Sequence, residues 1–99
     1  MPELLSPDEL AAALADLPGW TGDSAELTRT FQAPDFPTAI RLVVAVAADA
    51  EMMDHHPDMD IRWRTVRFVV STHSAGGVTG SDTELARRID AHAAALGAS

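Results

Sequence analysis

The residues best suited to chemistry are concentrated in Glu51-Met-Met-Asp-His-His-Pro-Asp58, with a third imidazole at Thr72-His73-Ser74. Histidine changes charge near neutral pH, and a carboxylate behind it sets its tautomer and basicity. Several imidazoles on different sides of a small molecule therefore suit general acid–base catalysis. Glu51, Asp54 and His55 are spaced i, i+3 and i+4, so a helix through them would carry all three on one face. Pro57 disfavours helical backbone at His56, so the helix is expected to end there and both imidazoles to turn into one cleft.

Competing chemistries have weaker support. Metal binding would use neutral imidazoles with a carboxylate, but adjacent His-His is not a helical chelate spacing. Ser71 and Ser74 flank His73, yet no nucleophile elbow or oxyanion hole accompanies them. His92 stands apart inside a helical segment and reads as structural. Asp82 lies three residues past Thr79, which favours a capping box over direct chemistry.

These groups need elements to position them. Ser6-Pro7-Asp8-Glu9 starts a first helix through a capping box, with Leu10, Leu14 and Leu17 as its apolar stripe and Pro18-Gly19 as its stop. Trp20, expected in the core, opens a short strand that turns at Gly22-Asp23 and returns over 25–31, with Leu27 and Phe31 on one face. Asp35 caps a second helix running to about Asp54, with Phe36, Ile40, Val43, Val44 and Ala47 expected as its buried stripe.

From Met59 to Thr72 the apolar positions change phase. Met59, Ile61 and Trp63 are odd-numbered, whereas Val66, Phe68 and Val70 are even-numbered. A hairpin turning at Arg64-Thr65 places all six on one face, pairing Trp63 with Val66 and Met59 with Val70. It leaves Arg62 beside Arg67, and Arg-Thr is a poor turn by composition. Continued, that register sets His73 opposite His56, whereas one uninterrupted strand would hold them about 55 Å apart at roughly 3.3 Å per residue. Thr79 then caps a third helix with Leu85, Ile89, Ala93 and Leu96 on its buried side, ended by Gly97.

Composition bounds the function classes. The chain is 46% hydrophobic and 22% charged, and 99 residues form a single domain spanning 1–99. Without cysteine there is no disulfide, thiolate metal site or Cys nucleophile. A net charge of −8 opposes contact with nucleic-acid phosphates. The apolar run 42–48 is too short to span a bilayer, and Met-Pro-Glu-Leu-Leu-Ser lacks a basic start before an apolar run, so no membrane association is expected and the cytoplasm is the expected compartment.

At its histidines the chain resembles the pterin-4a-carbinolamine dehydratase family. The pattern is an acidic residue, three spacers, His-His-Pro, five spacers, an aromatic, nine spacers, His, eight spacers and Asp. Glu51, His55-His56-Pro57, Trp63, His73 and Asp82 match it with every gap kept. Gly19-Trp20, Asp35-Phe36, Ser71-Thr72-His73 and Leu85-Ala86 extend the likeness over nearly the whole chain.

The resemblance implies an α+β fold, a four-stranded antiparallel sheet with three helices packed on one face, in the order α-β-β-α-β-β-α already read from the residues. It also implies conversion of 4a-hydroxytetrahydropterin to quinonoid dihydropterin without metal or cofactor. His55 and His73 would be the main acid–base pair, and His56 would chiefly bind and orient substrate. Glu51, Asp54, Pro57, Thr72, Ser74 and Ala75 would contribute to the pterin pocket, the segment 72–75 through backbone groups, with Asp82 in support. A homodimer or homotetramer is implied, as is an alternative role as a non-catalytic dimerisation or transcription-cofactor-like module. Ser74 departs from an acidic preference, and Met59 from an aromatic one.

Overall fold

The computed structural model describes residues 3–99, so Met1-Pro2, part of the stretch bearing on a leader, lie outside the described residues. The elements are α1 (Pro7–Ala15), β1 (Thr21–Gly22), β2 (Leu27–Gln32), α2 (Phe36–Met53), β3 (Asp58–Arg62), β4 (Thr65–Val70), a 3₁₀ turn at His73–Ala75 and α3 (Gly80–Ala95). The four strands form one antiparallel sheet in the order β1-β2-β4-β3, matching the expected α+β arrangement.

Local chemistry sets the helix starts. Ser6 Oγ accepts from the Glu9 N–H while Glu9 returns a bond to the Ser6 N–H. Hydrogen bonds from Ser6, backbone first, hold the Glu9 carboxyl below its ordinary value. Asp35 caps α2 through Thr38, whose side chain and backbone N–H hold that carboxyl low as well. Thr79 and Asp82 form the expected capping box of α3.

Alternation on the central strands makes the core. Leu27, Phe31, Val66, Phe68 and Val70 are fully buried on the helix side, joined by Leu42 and Val46 of α2 and Leu85, Ile89 and Ala93 of α3. The Phe31 and Phe68 rings meet edge to face at 5.9 Å. Trp20 is buried as expected, and its indole N–H donates to Asp90 at 2.8 Å.

Three expectations are corrected. First, the fully buried side of α2 is Ala39, Leu42, Val46 and Ala50; of the expected stripe Val43 packs against the core and Ile40 is half-buried, whereas Phe36, Val44 and Ala47 are exposed, Val44 to 63%. Both faces carry apolar residues, so spacing alone does not choose between them.

Second, the hairpin register is slipped by two residues. Ile61 faces Val66, Met59 faces Phe68 and Asp60 faces Arg67, so opposite charges replace the expected Arg62–Arg67 clash. The two-residue turn is Trp63-Arg64, with Trp63 in the left-handed region at φ 53° and the Arg64 guanidinium over its ring. Ala33 N–H donates to the Arg64 carbonyl at 2.8 Å and anchors the turn to the end of β2.

Third, Met59, Ile61 and Trp63 are not core residues. They are exposed because β3 is the sheet's outer strand beyond β4.

Candidate active site

Where α2 ends decides how the histidines point. The helix stops at Met53, and Asp54 turns into the left-handed region at φ 49°. His55 N–H then bonds the Ala50 carbonyl at 3.0 Å, a bond spanning five residues of the kind that closes helix C-termini. Aspartate tolerates this conformation better than most residues other than glycine. The helix therefore ends at Asp54, the expected extent, but by a left-handed reversal rather than a break at Pro57, and Glu51, Asp54 and His55 do not share a helical face. Instead the two histidines diverge to different carboxylates.

His55 turns inward. Its Nε2 lies 2.5 Å from Asp82 Oδ1, with the His55 side chain 14% exposed and Asp82 fully buried. The other carboxylate oxygen, Oδ2, accepts from the Thr72 hydroxyl at 2.7 Å and from the Thr79 N–H at 2.9 Å. Thr72 and Thr79 share a further hydroxyl contact at 2.8 Å. Asp82 is thus both the cap of α3 and the anchor of His55, so the capping reading was correct but incomplete. The cap spacing signals the role of Oδ2, and only the family resemblance points to Asp82 as a supporting residue of the site.

His56 turns outward to Glu51 Oε1 at 2.7 Å, an exposed pair. Asp54 is exposed and Pro57 half-buried. His73 opens the 3₁₀ turn immediately after Thr72, and His73 and Ser74 are exposed while Ala75 is half-buried. The observed register, carried two residues past the Asp58–Val69 pair, would set His56 against Ser71, so the expected His56–His73 opposition does not arise from the ladder. His73 is instead brought near by sequence, one residue from the hydroxyl that reaches Asp82.

The loop carrying His73 is closed by its own backbone. Thr72 N–H donates to the Gly77 carbonyl, and the Thr72 carbonyl accepts from Ala75, Gly76 and Gly77. Gly77 is packed so that a β-carbon would lie 2.3 Å from the Ser24 carbonyl oxygen, so only glycine fits. His92, read as structural, joins α3 to α2 through Asp49 at 2.6 Å. Among the described residues no group of three or more His, Asp or Glu converges as a metal site would require. A concavity of about 400 Å³ lined by Thr30, Asp60, Arg62, Thr65 and Arg67 lies on the sheet's other face and contains none of the histidines.

A buried imidazole–carboxylate pair with two further imidazoles on adjoining segments can transfer protons, and known proteins share the frame that builds it. The profile of the pterin 4 alpha carbinolamine dehydratase family matches residues 3–92. This chain belongs to that family. A Nocardia farcinica relative named after the same family is 61% identical over 88 residues, covering 89% of this chain and 93% of its own. Another, from Roseiflexus castenholzii, is 53% identical, covering 91% and 97%. The crystal structure of a transcriptional coactivator/pterin dehydratase from Brucella melitensis superposes with a TM-score of 0.87 at 36% identity, covering 90% of this chain and 97% of that one. A pterin dehydratase-like protein described as a RuBisCO assembly factor in the alpha-carboxysome has the same fold, with a TM-score of 0.62 at 21% identity. Among the described residues no helix is long and apolar enough to cross a membrane.

Proposed function

We propose that this protein dehydrates 4a-hydroxytetrahydropterin to quinonoid dihydropterin by histidine acid–base catalysis, as a step in pterin recycling. The observation that carries the reading is the buried His55–Asp82 pair, with His56 next in the chain and His73 next to the Thr72 that bonds Asp82, in a chain of this family. A proton leaves a ring nitrogen, its electron pair forms the new C=N bond, and the C4a–O bond breaks. The departing hydroxide takes a proton and leaves as water. One base and one acid suffice, each typically worth about 10²–10⁴-fold. His55 and His73 fill these roles. His56, oriented by Glu51, binds the pterin, with Asp54, Pro57 and residues 72–75 along the pocket and Asp82 behind His55. Neither metal nor cofactor enters this scheme.

The second reading, a non-catalytic interaction module, is favoured by one observation: α2 presents Phe36, Val44 and Met52 to solvent. These exposed apolar residues, with Met59 and Ile61 on the edge strand β3 and Trp63 in the turn after it, support a homodimer or homotetramer. Dehydration of 4a-hydroxytetrahydropterin, followed optically with wild type beside His55→Ala and His73→Ala, tests the first reading. Acceleration by wild type, mostly lost in each variant, supports it. A folded, oligomeric and inert wild type would overturn it in favour of the interaction module.

A further inference from the structure

We infer that a hydrogen-bond chain, Thr79 to Thr72 to Asp82, sets the tautomer of His55, keeping the proton on Nε2 and leaving Nδ1 as the site's proton acceptor. The direction of the chain follows from counting hydrogens. Thr72 has one hydroxyl hydrogen and gives it to Asp82 Oδ2. Its contact with the Thr79 hydroxyl must therefore use hydrogen from Thr79, whose oxygen in turn accepts from the Ser81 N–H at 3.3 Å. With the Thr79 N–H also on Oδ2, that oxygen is occupied by two donors. Oδ1 is left to accept from His55, so His55 supplies an N–H through Nε2.

Burial makes the arrangement unidirectional. Thr72, Thr79 and Asp82 are all buried, so neither hydroxyl can turn to bulk solvent instead. Thr72 has both backbone groups engaged within its own loop, which leaves the hydroxyl as its contribution to the site. Among the described residues no protein group bonds His55 Nδ1. A neutral His55 is thus a base at Nδ1. After taking a proton there it becomes an imidazolium paired with Asp82, which itself stays unprotonated and returns His55 to the same tautomer when the proton leaves. The Thr72 and Thr79 hydroxyls are positioning groups: they act on His55 through Asp82, whatever the rest of the segment 72–75 contributes to the pocket wall.

The base role rests on the dehydratase reading; the tautomer does not. Long-range ¹H–¹⁵N correlation of ¹⁵N-histidine-labelled protein, at a pH where His55 is neutral, reads the tautomer directly. Wild type is expected to carry hydrogen on Nε2 with Nδ1 bare. Thr72→Val keeps the side-chain shape without the hydroxyl and should give a mixture of tautomers, while Thr72→Ser restores one form. In turnover, Thr72→Val should lower kcat about tenfold with KM within about twofold, and Thr72→Ser should recover it.

A wild-type His55 with hydrogen on Nδ1 would overturn the inference, as would a Thr72→Val protein with unchanged spectrum and kcat. If Thr72→Val does not fold, the wild-type spectrum still decides. An inert wild type with hydrogen on Nε2 sinks the dehydratase reading and leaves the tautomer standing. An active enzyme with hydrogen on Nδ1 does the reverse.

Discussion

Two neighbouring residues place the same pair of groups in opposite surroundings. His55 meets Asp82 at 2.5 Å, and His56 meets Glu51 at 2.7 Å, each through Nε2. The first pair is 14% and 0% exposed, the second 59% and 78%. The first joins residues 27 apart in the chain, the second residues five apart. An exposed ion pair is screened by water and contributes about 0–1 kcal/mol. A buried pair is held by groups that have no alternative partner, so removing one member is far more disruptive. Distance alone does not rank the two histidines; burial and the donors behind the carboxylate do. The inward pair is built to hold one imidazole in one orientation, and the outward pair is free to adjust to a bound molecule.

The contrast can be broken by experiment, beginning with turnover. His55→Ala should reduce dehydration by about 10²–10⁴-fold, the range of a lost general acid or base. His56→Ala should act mainly on KM, and an equal loss of kcat in both variants would end the distinction. Stability comes next. Asp82→Ala strands the Thr72 hydroxyl, the Thr79 N–H and His55 together, and should lose about 3–5 kcal/mol in denaturant unfolding. Glu51→Ala should change stability by about 0–1 kcal/mol. Comparable losses would show that burial is not the difference.

Smaller effects sharpen the same comparison. In double-mutant cycles at about 1 M salt, where screening acts within roughly 3 Å, the Glu51–His56 coupling should fall to near zero while the Asp82–His55 coupling persists. Asp35 supplies an intermediate case, a carboxylate with good donors but no burial. Hydrogen bonds from Thr38 lower its pKa from 3.8. Its ionised form therefore stabilises the fold at pH above that ordinary value, and this contribution is lost as pH falls through the lowered native value. Asp35→Asn keeps an acceptor at the cap and should flatten that part of the acid limb; an unchanged limb would remove Asp35 from the acid response.

Legibility along the chain followed the range of the interactions. The capping boxes at Ser6 and Thr79, the Asp35 cap and the Leu85–Ile89–Ala93 stripe are contacts within one or two helical turns, and they read directly from spacing. The buried side of α2 did not, because both of its faces are apolar and only the packing partner selects Leu42 and Val46 over Ile40 and Val44. Nor did the hairpin register, since a slip of two residues keeps every side chain on its face, so alternation alone does not distinguish the two registers. At the site, the three histidines were identifiable by type and gap, but the partner of each was not. Spacing puts Glu51 with His55 on an unbroken helix, whereas the left-handed turn at Asp54 gives it to His56.

The element order, the helix caps, the alternation of the central strands and the residue types able to move protons all follow from the amino-acid sequence. These are local or periodic properties, carried by φ/ψ preferences and by hydrogen bonds that close within a few residues. Only the tertiary structure decided which imidazole is buried and what holds it. Asp82 approaches His55 because the start of α3 packs beside the end of α2, and Thr72 reaches the same carboxylate because the loop after β4 closes on Gly77. Those contacts join residues ten and 27 apart, and their energy depends on the exclusion of water. No spacing rule encodes that exclusion, because it exists only once the sheet and helices have closed over the site.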